Sequence, residues 1–250
     1  IKTCIVDMAP GPLLFGRADG ISCRTIEIME AFNSSEMVVK ETYHLKQNTF
    51  WEPDAANPEN IKRTEKITDA RAGLSEFTHG IVNQARLHEL LIDGMANSIT
   101  NLHPHYSREL VDMQIDESLT QNLEAHPITA TFKRVDDAGN AKTETVKARF
   151  AVGSDGGRSR VRKSLNISLE GDTANKAWGV MDILLNTDFP DIRVKSFIQS
   201  KDHGAVMTIP REGGYLCRFY VELDMIDKDS RATDLKLTEH NLIAKAQKIF

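Results

Sequence analysis

The sequence predicts a mixed α/β (α+β) fold in two parts, and three observations carry that prediction. Val152-Gly153-Ser154-Asp155-Gly156-Gly157-Arg158-Ser159-Arg160-Val161-Arg162 joins an alternating apolar run (Val146, Ala148, Phe150, Val152) to a helix start at Val161–Leu165. Asn83 to about Asn97 carries an apolar stripe of Leu87, Leu90, Leu91 and Met95 at helical spacing. Beyond Leu165 the pattern changes to four strand-like runs with short links, which reads as an antiparallel sheet. The two parts are therefore drawn as residues 1–173 and 174–250, with the change between Gly171 and Lys176.

Taken in order, Ile1–Val6 reads as a short buried strand ending in an acid, Asp7. A loop with Pro10, Gly11 and Pro12 follows, then a turn at Gly16-Arg17-Ala18-Asp19-Gly20. Ile21, Ile28, Met29 and Phe32 recur at helical spacing and place a helix over about Ser22–Phe32. From there to about Gly80 the sequence is polar and mixed, broken at Trp51-Glu52-Pro53 and Asn57-Pro58, and only loops and short strands are expected. Asn83 is the expected N-cap of the next helix. Ile128–Val135 and Thr143–Val152 read as strands around an Asp136-Asp137-Ala138-Gly139-Asn140 turn. Trp178–Leu185, Val194–Gln199, Ala205–Ile209 and Tyr215–Leu223 are the strands of the second part, with Glu212-Gly213-Gly214 as a hairpin turn. A helix runs from about Thr238 to Phe250. Both ends cut into elements, so the chain reads as a fragment of a longer protein.

Composition excludes several classes. The 250 residues are 40% hydrophobic and 27% charged, the mix of an ordinary globular protein. A net charge of −5 gives a nucleic-acid partner no global support. No apolar run approaches the roughly 18 residues of a membrane helix, and no signal peptide is visible. Three scattered cysteines, Cys4, Cys23 and Cys217, read as reduced thiols of a cytoplasmic protein, with Cys4 and Cys217 as small core residues. His103 and His105 have no nearby carboxylate or Cys to complete a metal site, and no Gly-x-Ser-x-Gly turn supports a hydrolase.

The glycine-rich turn carries chemistry. A strand end, two glycines, a helix start and three arginines gather backbone N–H groups and cations around one point, which suits a pyrophosphate, while Asp155 suits a ribose hydroxyl. A dinucleotide carries both. The plain alternative is a glycine turn with a solvated basic face. Asp7 stands where a Rossmann-type second strand presents its acid to a ribose; its plain alternative is a solvated turn residue.

Gly16-Arg17-Ala18-Asp19-Gly20-Ile21 with Cys23-Arg24-Thr25-Ile26-Glu27 resembles the loop and helix of phenol 2-monooxygenases, within the FAD-dependent aromatic hydroxylases. Gly153–Ser159 with Val161-Arg162 is similar to that superfamily's second nucleotide motif. Trp178–Asp182, Phe189–Arg193, Ile209–Glu212 and Arg218–Tyr220 match in the same order. The resemblance implies a partial Rossmann-like FAD-binding domain and a substrate-binding β-sheet domain. It implies use of NADPH and O₂ through FAD to hydroxylate a phenol ortho to its hydroxyl, giving a catechol, in an enzyme that is often a homodimer. The family's Gly-x-Gly-x-x-Gly turn, third flavin motif and thioredoxin-like domain are not in this sequence, and Met8 stands where a basic residue is common. That puts FAD binding by this chain alone in question, and leaves a non-catalytic interaction module as the competing reading.

The resemblance also assigns roles. Asp19 faces the phenol hydroxyl as a base, against a plain role in helix capping. Burial would raise its pKa toward that task. Arg211 offsets negative charge near flavin and phenolate, and Tyr220 hydrogen-bonds the phenol oxygen, against solvated and packing roles. Arg218 shares the strand face of Tyr220 and receives no role. Gln84 contacts the flavin beside Arg86, and Arg24 contacts cofactor or pairs with Glu27 at i+3. With Asp7, Asp155, Gly156 and Arg162, these complete the expected FAD contacts. A related hydroxylase for a hydroxybenzoate is the third reading; Asp19 with Tyr220 argues for a plain phenol instead.

Overall fold

A computed structural model describes residues 1–16, 18–135, 140–172, 176–225 and 238–250. Arg17 and residues 136–139 of the expected turn lie outside the described residues. The chain folds as two compact units, residues 1–13 with 91–172 and residues 14–90 with 173–250. One border between them falls at 172/173. Residues 14–90, however, fold with the C-terminal sheet, because strands from that stretch complete it.

In the unit of residues 14–90 and 173–250, β1 (Gly20–Ile21) leads into α1 (Cys23–Ala31). Ser22 caps α1 by accepting from the Thr25 N–H. The stretch expected to hold little holds α2 (Ser35–Val39), β2 (Tyr43–Leu45), β3 (Gln47–Pro53), β4 (Ile61–Thr68) and β5 (His79–Ile81). α3 (Gln84–Ala96) follows, with the Asn83 side chain accepting from the Ala85 N–H at 2.8 Å. After residue 173 come β9 (Lys176–Leu184), β10 (Lys195–Gln199), β11 (Ala205–Pro210), β12 (Leu216–Met225) and α5 (Glu239–Ile249), capped by Thr238.

β1, β5 and β2 form one small sheet, and a six-stranded sheet runs β4-β3-β10-β11-β12-β9. All its pairings are antiparallel except β3 with β10. Alternation along the strands gives this sheet two faces. One packs Ile198, Val206, Cys217, Phe219 and Val221 against Ala246 and Ile249 of α5. The other carries Asp182, Met207, Ile209, Arg218 and Tyr220, and Ile209 clusters there with Leu45 and Ile81 of the small sheet. That second face holds the candidate site.

Polar ties fix the long-range pairing. The Thr49 and Ser196 hydroxyls share a 2.8 Å hydrogen bond across β3 and β10. Buried Asp191 accepts from Trp51 Nε1 at 2.9 Å and from Arg63 at 2.8 and 3.0 Å. The small sheet is tight as well: a Cβ on Gly80 would lie 2.2 Å from Thr42 Cγ2. Gly80→Ala is therefore expected to destabilise the protein by about 1–3 kcal/mol, read as a lower urea midpoint with unchanged slope.

In the unit of residues 1–13 and 91–172, β6 (Arg108–Ile115), β7 (Ile128–Val135) and β8 (Ala141–Ala148) form an antiparallel meander, followed by α4 (Arg160–Ser164). Two expectations need correction. Ile1–Val6 is not a buried strand: only Val6 bridges His105, and the segment is mostly exposed, Cys4 included. β8 ends at Ala148, and Phe150 and Val152 are exposed rather than half-buried. In both cases the apolar residues find no further strand to pair with among the described residues, and alternation alone cannot supply one.

Candidate active site

Five charged side chains, Asp19, Asp182, Arg211, Glu212 and Arg218, meet on the second face of the six-stranded sheet. Asp19 sits just before β1, its carbonyl accepting from the Val82 N–H at 2.9 Å. Arg211 follows β11, Arg218 lies on β12, and Asp182 lies opposite Arg218 on β9. The β11–β12 turn is closed by Arg211 N–H donating to the Leu216 carbonyl at 3.0 Å. Arg193 braces it, donating to the Arg211 carbonyl at 3.1 Å and to the Leu216 carbonyl at 3.2 Å. The Arg193 guanidinium also lies 4.7 Å from the Tyr43 ring centre.

The two arginines are buried, 1% and 3% exposed, as is Asp19 at 4%. Arg211 forks Glu212 at 2.8 and 3.0 Å and reaches both Asp182 oxygens at 3.1 and 3.2 Å. Arg218 forks Asp182 at 2.7 and 2.8 Å. Asp19 receives the remaining edges: Arg211 Nη1 lies 2.9 Å from its Oδ2 and Arg218 Nη1 lies 3.3 Å from its Oδ1. These are close ion pairs without hydrogen-bond alignment. Asp19 Oδ2 and Arg218 Nη1 are buried polar atoms with no hydrogen-bond partner.

The protonation states follow from this layout. Burial pushes the Asp19 carboxyl above its ordinary value; Arg211 and Arg218 oppose that, and Asp182 and Glu212 add to it. Asp182 goes the other way: burial is outweighed by hydrogen bonds and charge from Arg218 and Arg211, which hold its carboxyl below the usual range. The hydrogen bond that Arg218 donates to Asp182 raises its own pKa, and the neighbouring Tyr220 oxygen acts in the same direction. On the neighbouring β5, burial lowers the His79 imidazole against the pull of Asp69, and His79 senses the charges of Lys195 and Asp19.

The structure thus brings Asp19, Arg211 and Tyr220 together, the last through Arg218. Sequence reasoning missed Arg218 and Asp182. The only local signal was an acid, Asp182, inside an apolar strand; its partner Arg218 lies 36 residues on, across a non-consecutive strand pair. Gln84 lies in the same unit; its Oε1 accepts from the Ala18 N–H at 3.2 Å, so it pins the loop that carries Asp19. A Cβ on Gly16 would lie 2.8 Å from Gln84 Cβ, which explains the glycine. Arg24 pairs with Glu27 at 3.5 Å, and Arg86 forks Glu41 at 2.7 and 2.8 Å.

The other unit holds Asp7, Asp155, Gly156 and Arg162. Asp155 accepts from Ser159 Oγ at 2.5 Å and from the N–H groups of Arg160 and Val161 at 2.6 and 3.2 Å, capping α4. Burial acts against its ionisation, and these hydrogen bonds outweigh it and hold the carboxyl below the usual range. Gly156 has φ +79°, and a Cβ built on it or on Gly157 would meet nothing within 4 Å, so the backbone there is open to a ligand. Arg162 Nη2 donates to the Gly157 carbonyl at 2.7 Å and fixes the turn. Asp7 accepts from the Ala9 N–H at 2.8 Å. The Tyr106 hydroxyl is buried without a partner; burial first, and then the nearby Asp7 charge, raise its pKa. An open glycine backbone, two acids and an orphaned hydroxyl form a donor and acceptor set that fits the sugar and phosphate portions of a flavin dinucleotide.

A family model described as "FAD binding domain" matches residues 1–250. The chain belongs to this family. Among curated proteins it is 48% identical over 249 residues to a 3-hydroxybenzoate 4-monooxygenase of Comamonas testosteroni, covering 100% of this chain and 38% of that protein. It is 30% identical over 245 residues to phenol 2-monooxygenase fsqG of Aspergillus fumigatus, covering 98% of this chain and 39% of that protein. The chain therefore spans well under half the length of these relatives. Among solved structures it matches p-nitrophenol 4-monooxygenase PnpA from Pseudomonas putida DLL-E4 with a TM-score of 0.75 at 13% identity, over 99% of this chain and 56% of that one. That likeness gives the mixed α/β fold of FAD-dependent monooxygenases. The similarity to phenol 2-monooxygenases is thus the more distant one, and the hydroxybenzoate enzyme stands nearer.

Proposed function

We propose that the protein belongs to an FAD-dependent aromatic monooxygenase that uses NADPH and hydroxylates a phenolic ring ortho to its hydroxyl, with a hydroxybenzoate as substrate. The observation that carries this reading is the pair of orphans in the charge cluster: a buried acceptor, Asp19 Oδ2, beside a buried donor, Arg218 Nη1. A phenolic hydroxyl both donates and accepts, so it would satisfy both atoms at once. Both atoms are covered, and the hydroxyl reaches them once a covering side chain turns aside; half-buried Tyr220 shares the strand face of Arg218.

The proton leaves the phenol oxygen for Asp19, whose raised pKa lessens the mismatch with a phenol near 10. Arg211 and Arg218 then stabilise the phenolate, which makes the ortho carbon nucleophilic. FAD, when bound, supplies the activation of O₂ with electrons from NADPH. Asp7, Asp155, Gly156 and Arg162 would hold its sugar and phosphate portions.

The 48% relative favours a hydroxybenzoate over plain phenol. Asp19 and Tyr220 read only the hydroxyl, so they suit either ring, and the carboxylate must be read elsewhere. Lys195 offers the charge: it is close enough to depress the His79 imidazole, which also senses Asp19, and its Nζ lies 5.3 Å from the Phe197 ring centre. The test uses the full-length protein with FAD, following NADPH oxidation and product with 3-hydroxybenzoate and with phenol. We expect 3-hydroxybenzoate to be turned over. Lys195→Met should raise its KM about 10- to 100-fold, the worth of one charge-assisted hydrogen bond, and leave phenol binding unchanged. Absence of FAD binding, or turnover of neither compound, would sink the reading.

A further inference from the structure

We propose that Asp182 is a positioning residue: its carboxylate takes the fork of Arg218 and shares the Nη1 edge of Arg211 with Asp19, and so keeps one oxygen of Asp19 free of an aligned arginine hydrogen bond for the proton of a phenolic substrate. This rests on the function proposed above and goes further, because it explains how a carboxylate lying against two arginines stays available as an acceptor.

The argument is one of competition for donors. An arginine fork aligns with one carboxylate at a time. Arg218 gives its Nε–Nη2 edge to Asp182 at 2.8 and 2.7 Å, and Arg211 gives its Nε–Nη2 edge to Glu212 at 3.0 and 2.8 Å. Both Asp182 oxygens also receive Arg211 Nη1. Among the described residues, Asp182 is the one carboxylate hydrogen-bonded to both arginines, and its side chain is 34% exposed against 1% for Asp19. The outer acid thus holds the aligned donors, and the inner acid keeps one oxygen, Oδ2, without an aligned hydrogen bond. Without Asp182, the freed Arg218 fork would turn onto Asp19 and occupy the acceptor.

When substrate binds, the O–H bond of the phenol breaks and a new O–H bond forms on Asp19; the electron pair stays on the phenolate oxygen. No net charge enters or leaves the cluster. The charged groups facing Asp19 are Arg211, Arg218, Asp182 and Glu212, with His79 from β5, itself paired with Asp69 and sensing Lys195.

The experiment measures binding to the oxidised full-length FAD protein without NADPH, by flavin fluorescence, across pH. The ratio of affinities for 3-hydroxybenzoate and benzoate isolates the hydroxyl, because both probes carry the same carboxylate. In the parent protein the ratio should fall on the acid side as Asp19 takes up a proton, and Asp19→Asn should flatten it. Asp182→Asn should move that fall to lower pH by about one unit, and Asp182→Glu should restore it. If Asp182→Asn does not fold, Arg218→Gln carries the test and should move the fall to higher pH. A fall that stays in place in Asp182→Asn, or moves equally in Asp182→Glu, overturns the positioning role while leaving the monooxygenase reading intact. A ratio independent of pH in the parent protein overturns the Asp19 reading as well.

Discussion

Asp19→Asn is expected to lower turnover of 3-hydroxybenzoate by about 10²- to 10⁴-fold, the worth of a positioned general base, at little cost to stability at neutral pH. The two effects part because of the charge count. Two arginines face Asp19, Asp182 and Glu212, so the fully ionised cluster carries one negative charge in excess. Asparagine removes that excess and leaves each arginine its fork. The sign of the pH dependence follows from the raised Asp19 carboxyl. Its contribution to stability is fully present below the ordinary carboxylate value of 3.8 and is lost as pH rises through its higher folded value. Parent and variant should therefore have their most similar melting temperatures in acid, and the variant should gain on the parent as pH rises from about 4 toward 7. Asp182 behaves oppositely: its lowered carboxyl contributes above 3.8 and loses that contribution as pH falls through its folded value. Calorimetry at a series of pH values, beside steady-state rates, checks both halves. A fall of many degrees for Asp19→Asn at pH 7 would mean that the ionised carboxylate is a structural group.

Arg211→Met should do the reverse and unfold the protein before it tells anything about catalysis. Removing one partner of a buried pair leaves charge uncompensated and costs about 3–5 kcal/mol. Here three carboxylates would share Arg218 alone. The deficit should shrink as pH falls and the carboxylates protonate, so urea midpoints of parent and variant should converge toward pH 4. Equal midpoints at pH 7 would show that the cluster contributes nothing to folding.

Local pattern served the sequence reading well where an element is decided by its own residues. α1 and α5 start at a serine and a threonine whose side chains cap them, and β9 to β12 follow alternation with a glycine turn between β11 and β12. β3 and β4 escaped because Trp51-Glu52-Pro53 reads as a break and the exposed face of β4 is charged; only pairing with β10 turns that stretch into sheet. The opposite error befell Ile1–Val6, where apolar character suggested burial that no neighbour provides. At the candidate site, the resemblance to known hydroxylases points to Asp19, Arg211 and Tyr220, and the structure sets Asp19 against Arg211 and Arg218, with Tyr220 on the strand face of Arg218. Asp182 was not, because its importance lies in which arginine faces it across β9 and β12, and register is not written in either strand alone.

The parallel pairing of β3 with β10 also sets a timetable. β3 joins β10 across 147 residues, from Thr49 to Ser196. At a synthesis rate of about 5–20 residues per second, β3 emerges from the ribosome roughly seven to thirty seconds before its partner exists. During that interval it can pair with β4 as a hairpin, its Phe50 and Trp51 uncovered on either face. The nascent chain therefore has a window in which a holding chaperone could bind this hairpin, and a pulse of protease during synthesis should cut near residues 47–68 until β10 has been made.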